Sequence, residues 1–279
     1  MRSVEERDLS FAPSSCAAPK RLTQAHIAEY NERGYLMPIS IYDAASVQAN
    51  RQYFDWMLET MFGMHDGRDA YAINGFHSRC RGLWDIVTHP VILDYVEDLL
   101  GPNFVAWGSH FFCKLPGDPR SVPWHQDASY WPFTPARTVT VWLAIDDADA
   151  DNAAMQFIPG THRLGHLRWK ETDKAAVLNQ EIVDVDAFGA PVYDALKAGE
   201  ISLHADMLAH GSSPNLSSRR RCGLTVRYCP TTVRPLNPMW ARNAVLCRGV
   251  DNSGHWTHNT RPEGEDLSPA NKPKSIGGN

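Results

Sequence analysis

The sequence predicts an α+β protein, mainly β, in which a double-sheet β barrel forms the body and helices from the N-terminal part pack outside it. Apolar residues recur at helical spacing up to Leu100. From about Phe104 onward, short runs rich in β-branched and aromatic residues alternate with clusters of turn residues. A chain of 279 residues, 43% hydrophobic and 21% charged, is large enough for one such β domain with a substantial core. Helices followed by many short strands are typical of this class.

Three helices are predicted, each from a start signal, an apolar face and a stop signal. Thr23 is a good N-cap residue for the first helix, and Gly34 is suited to end it. The second helix is expected from about Ala44 to Phe62. The third is expected over Val91–Leu100, because Gly101 and a proline follow directly.

The strands are predicted from β-branched and aromatic runs bounded by Pro, Gly, Asp and Asn. We expect a flexible tail over residues 1–20, a single domain over residues 21–258, and a disordered tail over residues 259–279, since both ends lack periodicity. The predicted strands are Phe104–Trp107, Phe111–Leu115, Val139–Ile145, Met155–Ile158, Glu200–Leu203 and Gly223–Tyr228.

Composition excludes several classes of protein. A formal net charge of −5 argues against a nucleic-acid-binding protein. No run approaches the roughly 20 apolar residues of a membrane span, and the charged N-terminus lacks a signal-peptide core, so a cytoplasmic location is expected. The six cysteines form no C-x-x-C pair, which argues against a zinc finger and against a disulfide framework. The partner expected is a small molecule, and a homodimer is left open.

Two histidines and an aspartate are the candidate metal ligands. His125 and Asp127 are two apart, and residues two apart in a strand point to the same face. A neighbouring strand that carries His210 would complete a set of two imidazoles and one carboxylate. That set is the one non-haem Fe(II) oxygenases use to leave coordination positions open. For the pair alone, the alternative is a strand histidine hydrogen-bonded to a nearby carboxylate.

These residues also carry a resemblance to a known family. The run from Trp124 to Phe133 (WHQDASYWPF), the turn Pro159–His162 (PGTH), and His210-Gly211-Ser212 followed by Arg221 resemble the phytanoyl-CoA dioxygenase family over roughly Leu22 to Arg234. The resemblance implies a double-stranded β-helix (jelly-roll) core. It also implies an Fe(II)-dependent dioxygenase with 2-oxoglutarate and O2 as co-substrates.

The resemblance further implies roles for residues beyond the three ligands. Arg221 would bind the distal carboxylate of 2-oxoglutarate, and a planar guanidinium suits that task. Ser212 would support the same carboxylate, Trp142 would line the co-substrate pocket, and Gln126 would lie close to it. The alternatives are a solvated arginine at a strand end and, for Trp142, plain core packing. A carboxylate at Asp127 favours hydroxylation over halogenation, because related halogenases carry a small residue there.

The substrate is predicted from the residues that follow the ligands. Tyr130 and Trp131 could form an aromatic wall that attracts an ammonium or trimethylammonium group, worth ~0.5–2 kcal/mol per ring. Arg227 is one of four candidates for an anion clamp, the others being Arg234, Arg242 and Arg248. Together these residues suit a small zwitterion, although the aromatic side chains could equally well fill the end of the barrel.

Three functions remain in competition at this point. The sequence is similar to bacterial enzymes that hydroxylate 2-aminoethylphosphonate or its N-methylated relatives, which makes an aminoalkylphosphonate the specific expectation. The alternatives are an oxygenase that tailors an amino acid or a natural-product scaffold, and a jelly-roll protein that binds metal without redox chemistry, such as a zinc-dependent cupin.

Overall fold

A computed structural model describes residues 7–172 and 175–269 of the chain. Its helices are α1 (Gln24–Arg33), α2 (Ala44–Gly63), α3 (Arg81–Val87), α4 (Pro90–Leu100) and the one-turn α5 (Asp127–Tyr130). Its longer strands, of four residues or more, are β1 (Tyr35–Ser40), β2 (Phe104–Lys114), β3 (Val122–His125), β5 (Val139–Ala144), β10 (Glu200–Ala205), β12 (Arg221–Pro230) and β14 (Val245–Arg248). The shorter strands are β4 (Phe133–Thr134), β6 (Gln156–Phe157), β7 (Trp169–Glu171), β8 (Gln180–Ile182), β9 (Val192–Tyr193), β11 (His210–Ser212) and β13 (Arg234–Pro235).

The three predicted helices are confirmed. Thr23 caps α1 by accepting a hydrogen bond from a backbone N–H of the first turn, and Gly34 ends the helix at φ 87°. Asp43 caps α2 in the same way. α4 begins with Pro90, which suits a first helical position because that N–H has no partner inside the helix. The sequence reading missed α3, a short helix of seven residues (Arg81–Val87).

Two antiparallel sheets form the predicted double-sheet body. The larger sheet has six strands in the order β1-β10-β5-β12-β2-β14, and the smaller has four in the order β3-β11-β6-β9. Side chains from both sheets meet between them; for example, the ring of Tyr35 on β1 stacks on that of Phe157 on β6, with centroids 4.8 Å apart. The jelly-roll fold is therefore confirmed.

The helices cover the outer face of the large sheet, which explains why β5 is buried on both faces. Val141 and Leu143 point outward into the main core with residues of α2 and α4. Thr140 and Trp142 alternate with them and point into the space between the sheets. The inward positions of this sheet thereby become the positions that can form a site.

Several predicted strand boundaries are corrected. Phe104–Trp107 and Phe111–Leu115 belong to one continuous strand, β2, which pairs with β12 along its whole length. Asp127 was expected in a strand but begins α5, since β3 ends at His125. The segment Trp240–Trp256, for which no element was predicted, supplies β14 at the edge of the large sheet.

Both segments expected as tails pack on the body where the structure describes them. Arg7 donates hydrogen bonds to the backbone carbonyls of Ala128, Trp131 and Phe133, within the segment expected as a flexible tail. Near the other end, Glu265 accepts hydrogen bonds from the hydroxyl of Tyr53 and a backbone N–H of α3. Residues 1–6 and 270–279 of the predicted tails lie outside the described residues.

Candidate metal and co-substrate site

The two candidate histidine ligands lie directly opposite each other on neighbouring strands. His125 on β3 pairs in register with His210 on β11, and their ring centroids are 4.1 Å apart. The Nδ1 of each ring makes a hydrogen bond to a backbone carbonyl two residues earlier, at 2.8 Å for His125 and 2.9 Å for His210. A carbonyl can only accept, so each Nδ1 carries a proton, and in the neutral ring Nε2 is the nitrogen that keeps a free lone pair. This is the tautomer that a metal requires.

Asp127 brings the carboxylate to the same point by a different local structure from the one predicted. Gln126 is extended (φ −109°, ψ 128°), so the strand geometry persists for one residue beyond β3 before α5 begins. Asp127 Oδ1 therefore lies 3.6 Å from His125 Nε2 and 3.9 Å from His210 Nε2. One ligand atom from each of these three buried residues lies within 4.8 Å of the others.

The second oxygen of Asp127 lies beside two residues that the sequence analysis did not assign to the site. Thr140 Oγ1 donates to Oδ2 at 3.3 Å, and His204 Nε2 lies 3.8 Å from the same oxygen. Neither ring nitrogen of the buried His204 has a hydrogen-bond partner within the described part of the chain. The two carboxylate oxygens thus have separate surroundings: Oδ1 faces the histidine pair and Oδ2 faces the supporting side chains.

The protonation states of the three residues suit a divalent metal ion. Burial alone would raise the pKa of Asp127, but the polar side chains around it, His125, His204 and the charged Arg227 among them, hold it well below its usual range. Burial, helped by the neighbouring His125, holds the pKa of His210 well below that of a free imidazole. Two imidazoles and one carboxylate, with no thiolate among them, fit Fe(II).

Arg221 lies in a small cavity of about 30 Å³ that the three ligands also line. Its side chain is 2% exposed, its Nε donates to the carbonyl of Ala153 at 3.0 Å, and its Nη2 donates to Ser212 Oγ at 3.0 Å. The indole of Trp142 lies beside it, with the guanidinium carbon 5.8 Å from the ring centroid. The structure thus brings together Arg221, Ser212 and Trp142, the predicted 2-oxoglutarate residues apart from Gln126.

Gln126 does not line that cavity, so its expected place near the co-substrate is corrected. Its amide nitrogen donates to the carbonyls of Gly165 and Met207, at 2.9 and 2.7 Å, and its Oε1 accepts from the N–H of Leu167 at 2.8 Å. All three bonds tie loops together behind the ligand strand. The physical reason is the strand alternation itself, because Gln126 lies between two residues that point into the site.

A second cavity of about 350 Å³ contains all three of the candidate substrate residues, Tyr130, Trp131 and Arg227. Asp127 and Arg227 line both cavities, so the second one adjoins the metal ligands. The hydroxyl of Tyr130 accepts a hydrogen bond from the N–H of Gln180 at 2.8 Å. Among the other arginines considered, Arg248 forms ion pairs with carboxylates of α4 and lines neither cavity.

A jelly roll with two inward histidines and one carboxylate, and with a buried arginine in the adjoining cavity, is the arrangement of the non-haem Fe(II) oxygenases that use 2-oxoglutarate. The family model described as phytanoyl-CoA dioxygenase (PhyH) matches residues 30–223. The chain therefore belongs to the phytanoyl-CoA dioxygenase family, as the sequence motifs predicted.

Individual relatives agree with this assignment. The chain is 29% identical to the peroxisomal phytanoyl-CoA dioxygenase of Bos taurus over 154 residues, which cover 52% of this chain and 45% of the bovine one. It is 24% identical to the methylphosphonate hydroxylase of Gimesia maris over 222 residues, covering 74% and 80% of the two chains. The match thus spans less than half of the bovine protein.

Among solved structures, the chain is similar to the non-heme monooxygenase ThoJ in its apo form. The TM-score is 0.74 at 27% identity, and the match covers 85% of this chain and 88% of ThoJ. Within residues 7–172 and 175–269, no helix has both the length and the apolar character needed to cross a membrane.

Proposed function

We propose that the protein is an Fe(II)/2-oxoglutarate-dependent dioxygenase that hydroxylates a C–H bond of a small polar or zwitterionic metabolite. One observation carries the proposal: two buried arginines line the adjoining cavities that contain a three-residue metal site. Arg221 is 2% exposed and Arg227 is 9% exposed. Neither has a carboxylate within ion-pair distance among the residues that the structure describes. A buried cation without a counter-ion is costly, so the arrangement favours two separate anionic ligands.

The three ligands His125, Asp127 and His210 would hold the metal ion. When iron is bound, it supplies the oxidative chemistry by which 2-oxoglutarate and O2 become succinate and CO2 while a substrate C–H bond becomes an alcohol. Thr140 holds one oxygen of the aspartate by a hydrogen bond, and His204 lies beside that oxygen, while the other oxygen is directed at the histidine pair. The protein thus fixes the orientation of its carboxylate ligand before any metal binds.

Arg221 would orient the co-substrate by pairing with its distal carboxylate. Its two bonds to protein acceptors fix the guanidinium plane, so little rotational freedom is lost when an anion binds. Trp142 closes one side of the cavity and is 1% exposed. Burial strengthens the pairing of Arg221 with a carboxylate, because the effective dielectric constant around a buried side chain is lower than that of water.

For the substrate, we propose an aminoalkylphosphonate such as 2-aminoethylphosphonate or its N-trimethyl form. The similarity to a methylphosphonate hydroxylase over three quarters of the chain supports a phosphonate. The cavity of about 350 Å³ suits a molecule of this size better than an acyl-CoA, because small-molecule sites of roughly 300 Å³ and above enclose compact ligands.

The test is succinate formation by the protein loaded anaerobically with Fe(II) and then exposed to O2, 2-oxoglutarate and a panel of phosphonates, amino acids and amines. The proposal predicts that succinate appears with both co-substrates present and that a phosphonate accelerates it. Acceleration by an amino acid alone would replace the substrate assignment. Metal binding without any succinate would replace the dioxygenase by a non-redox metal protein.

A further inference from the structure

The cavity around Arg227 contains two buried N–H donors that the protein itself leaves unpaired. Arg227 Nε and Trp107 Nε1 have no hydrogen-bond partner within the described ranges, and the two residues are 9% and 5% exposed. Both residues line the second cavity. Buried donors without partners are rare in folded proteins, so two of them in one cavity indicate a ligand that accepts hydrogen bonds.

In this cavity the guanidinium of Arg227 lies against the rings of Trp107 and Trp131. The Arg227 Cζ lies 5.3 Å from the ring centroid of Trp131 and 5.8 Å from that of Trp107. The two indoles meet edge to face, with centroids 4.6 Å apart, and therefore form one corner around the arginine. A substrate ammonium group placed against the same rings would lie beside the positive charge of Arg227. The predicted role of Trp131 in cation binding is therefore disfavoured.

The charge of Arg227 also lacks compensation from the protein. Asp127 is the single acidic side chain that lines this cavity among the described residues. That carboxylate is a candidate ligand of the metal, so its negative charge is shared with the metal ion once one is bound. A ligand that carries its own negative charge would supply the missing counter-ion.

We infer that this cavity is a receptor for the oxyanion head group of the substrate. Arg227 and the indole N–H of Trp107 bind the anion, and the rings of Trp107 and Trp131 hold the guanidinium in place. The inference rests on the proposed function only in taking the bound anion to be the substrate. It narrows the substrate class to molecules with a carboxylate or phosphonate at one end, and any ammonium group of the substrate lies away from this corner.

The test is calorimetric titration of the protein loaded with Fe(II) and 2-oxoglutarate in the absence of O2. The ligands are propylphosphonate, butyrate, 2-aminoethylphosphonate and propyltrimethylammonium. The three that carry an anion are expected to bind, whereas the pure cation is not. The comparison of propylphosphonate with butyrate tells which oxyanion the site prefers.

Two variants and a matched control test whether Arg227 and Trp107 bind the anion. Arg227→Gln should weaken binding of the anions at least about 30-fold, the effect of removing one partner of a buried charge pair. Trp107→Phe keeps the ring and removes one neutral donor, so about 2- to 10-fold is expected. Arg248→Gln removes an arginine that is ion-paired outside the cavities and should change nothing.

The outcomes separate this inference from the proposed function. Equal binding of the pure cation, unchanged anion binding in Arg227→Gln, or no anion binding by the wild type would each overturn the inference. The visible absorption band of Fe(II)-chelated 2-oxoglutarate should persist in Arg227→Gln, which also shows that the variant folds. Loss of that band only in the variant would place Arg227 in the co-substrate site and overturn the inference. Absence of the band from the wild type would count against the proposed function instead.

Discussion

Replacement of Arg221 by Gln should strongly weaken the binding of 2-oxoglutarate while the metal site stays intact. In the structure the guanidinium is buried beside Ser212, within a cavity that also contains the metal ligands. Loss of one partner of a buried, hydrogen-bonded charge pair costs about 2–5 kcal/mol, which corresponds to roughly 30- to 4,000-fold weaker binding. The apparent requirement for 2-oxoglutarate should rise accordingly, and that for the substrate should change far less.

Thermal unfolding measures the same effect without turnover. At a 2-oxoglutarate concentration about 100 times its dissociation constant, the free energy of unfolding of the metal-loaded wild type should rise by about 2.7 kcal/mol. For a protein of this size that is a rise in Tm of roughly 5 °C. At the same concentration Arg221→Gln should show at most about a third of this rise, because 30-fold weaker binding leaves about 0.9 kcal/mol of stabilisation.

The neighbouring Arg220 provides the matched control. It precedes Arg221 directly in the chain but forms ion pairs with Asp146 at 2.7 Å and Asp55 at 2.5 Å. Arg220→Gln should therefore lower stability and leave the 2-oxoglutarate response unchanged. A wild-type response to 2-oxoglutarate in Arg221→Gln would refute the assignment, and so would an equal loss in both variants.

The remaining predictions concern other parts of the site and the core. Thr140→Val removes the hydroxyl that donates to Asp127 Oδ2 at nearly constant side-chain volume. The affinity for Fe(II), measured by competition with a chelator, should fall about 10- to 100-fold. Unchanged affinity would show that this hydrogen bond does not support the metal site. Burial raises the pKa of Asp194 from 3.8 to about 7, so its contribution to stability is full below about pH 4 and is lost as the pH rises to 7. Asp194→Asn should therefore flatten the decline of the free energy of unfolding between pH 5 and 8, by up to about 1.4 kcal/mol per pH unit, in denaturant titrations; an unaltered slope would contradict the raised pKa. A Cβ at Gly223 would lie 2.0 Å from Trp142 Cζ2. Gly223→Ala should therefore displace the indole, weaken 2-oxoglutarate binding and lower the free energy of unfolding by about 1–3 kcal/mol. Thermal unfolding curves that match those of the wild type, with and without 2-oxoglutarate, would show that the indole is not fixed.

The metal ligands were predictable from sequence, because their residue types and spacing restrict the chemistry. The strands that carry them, β3 and β11, were not predictable. β3 and β11 have four and three residues, which is too short for a periodic pattern to be recognised. The register that places His125 opposite His210 depends on the whole sheet. The motifs therefore located the site where the secondary-structure signals failed.

His204 and Thr140 could not be predicted for a different reason. The polar residues Glu200, Ser202 and His204 alternate with apolar ones in β10, but both strands are buried on nearly every residue, so the pattern does not tell which face points inward. Once Trp142 is placed inside, the period of two also places Thr140 inside, yet that starting point comes from the structure. For Gln126, strand alternation alone predicts the observed position, because it directs this side chain away from the site.

The contacts of the N-terminal segment were not predictable from composition, because they are made with residues distant in the chain, both with backbone carbonyls and with side chains such as that of His162. Arg7 is bonded to carbonyls of the loop that follows the metal ligands, and backbone acceptors leave no trace in a sequence. Composition therefore predicted a flexible tail, whereas in the structure Arg7 contacts the loop that carries Tyr130 and Trp131.

The most direct test of the metal centre is the visible spectrum of the anaerobic protein titrated with Fe(II) and then with 2-oxoglutarate. A charge-transfer band that needs both additions, and that is absent from Asp127→Ala and His210→Ala, is the predicted result. A wild-type spectrum that stays flat, or a band that survives both substitutions, would contradict an iron site built from His125, Asp127 and His210.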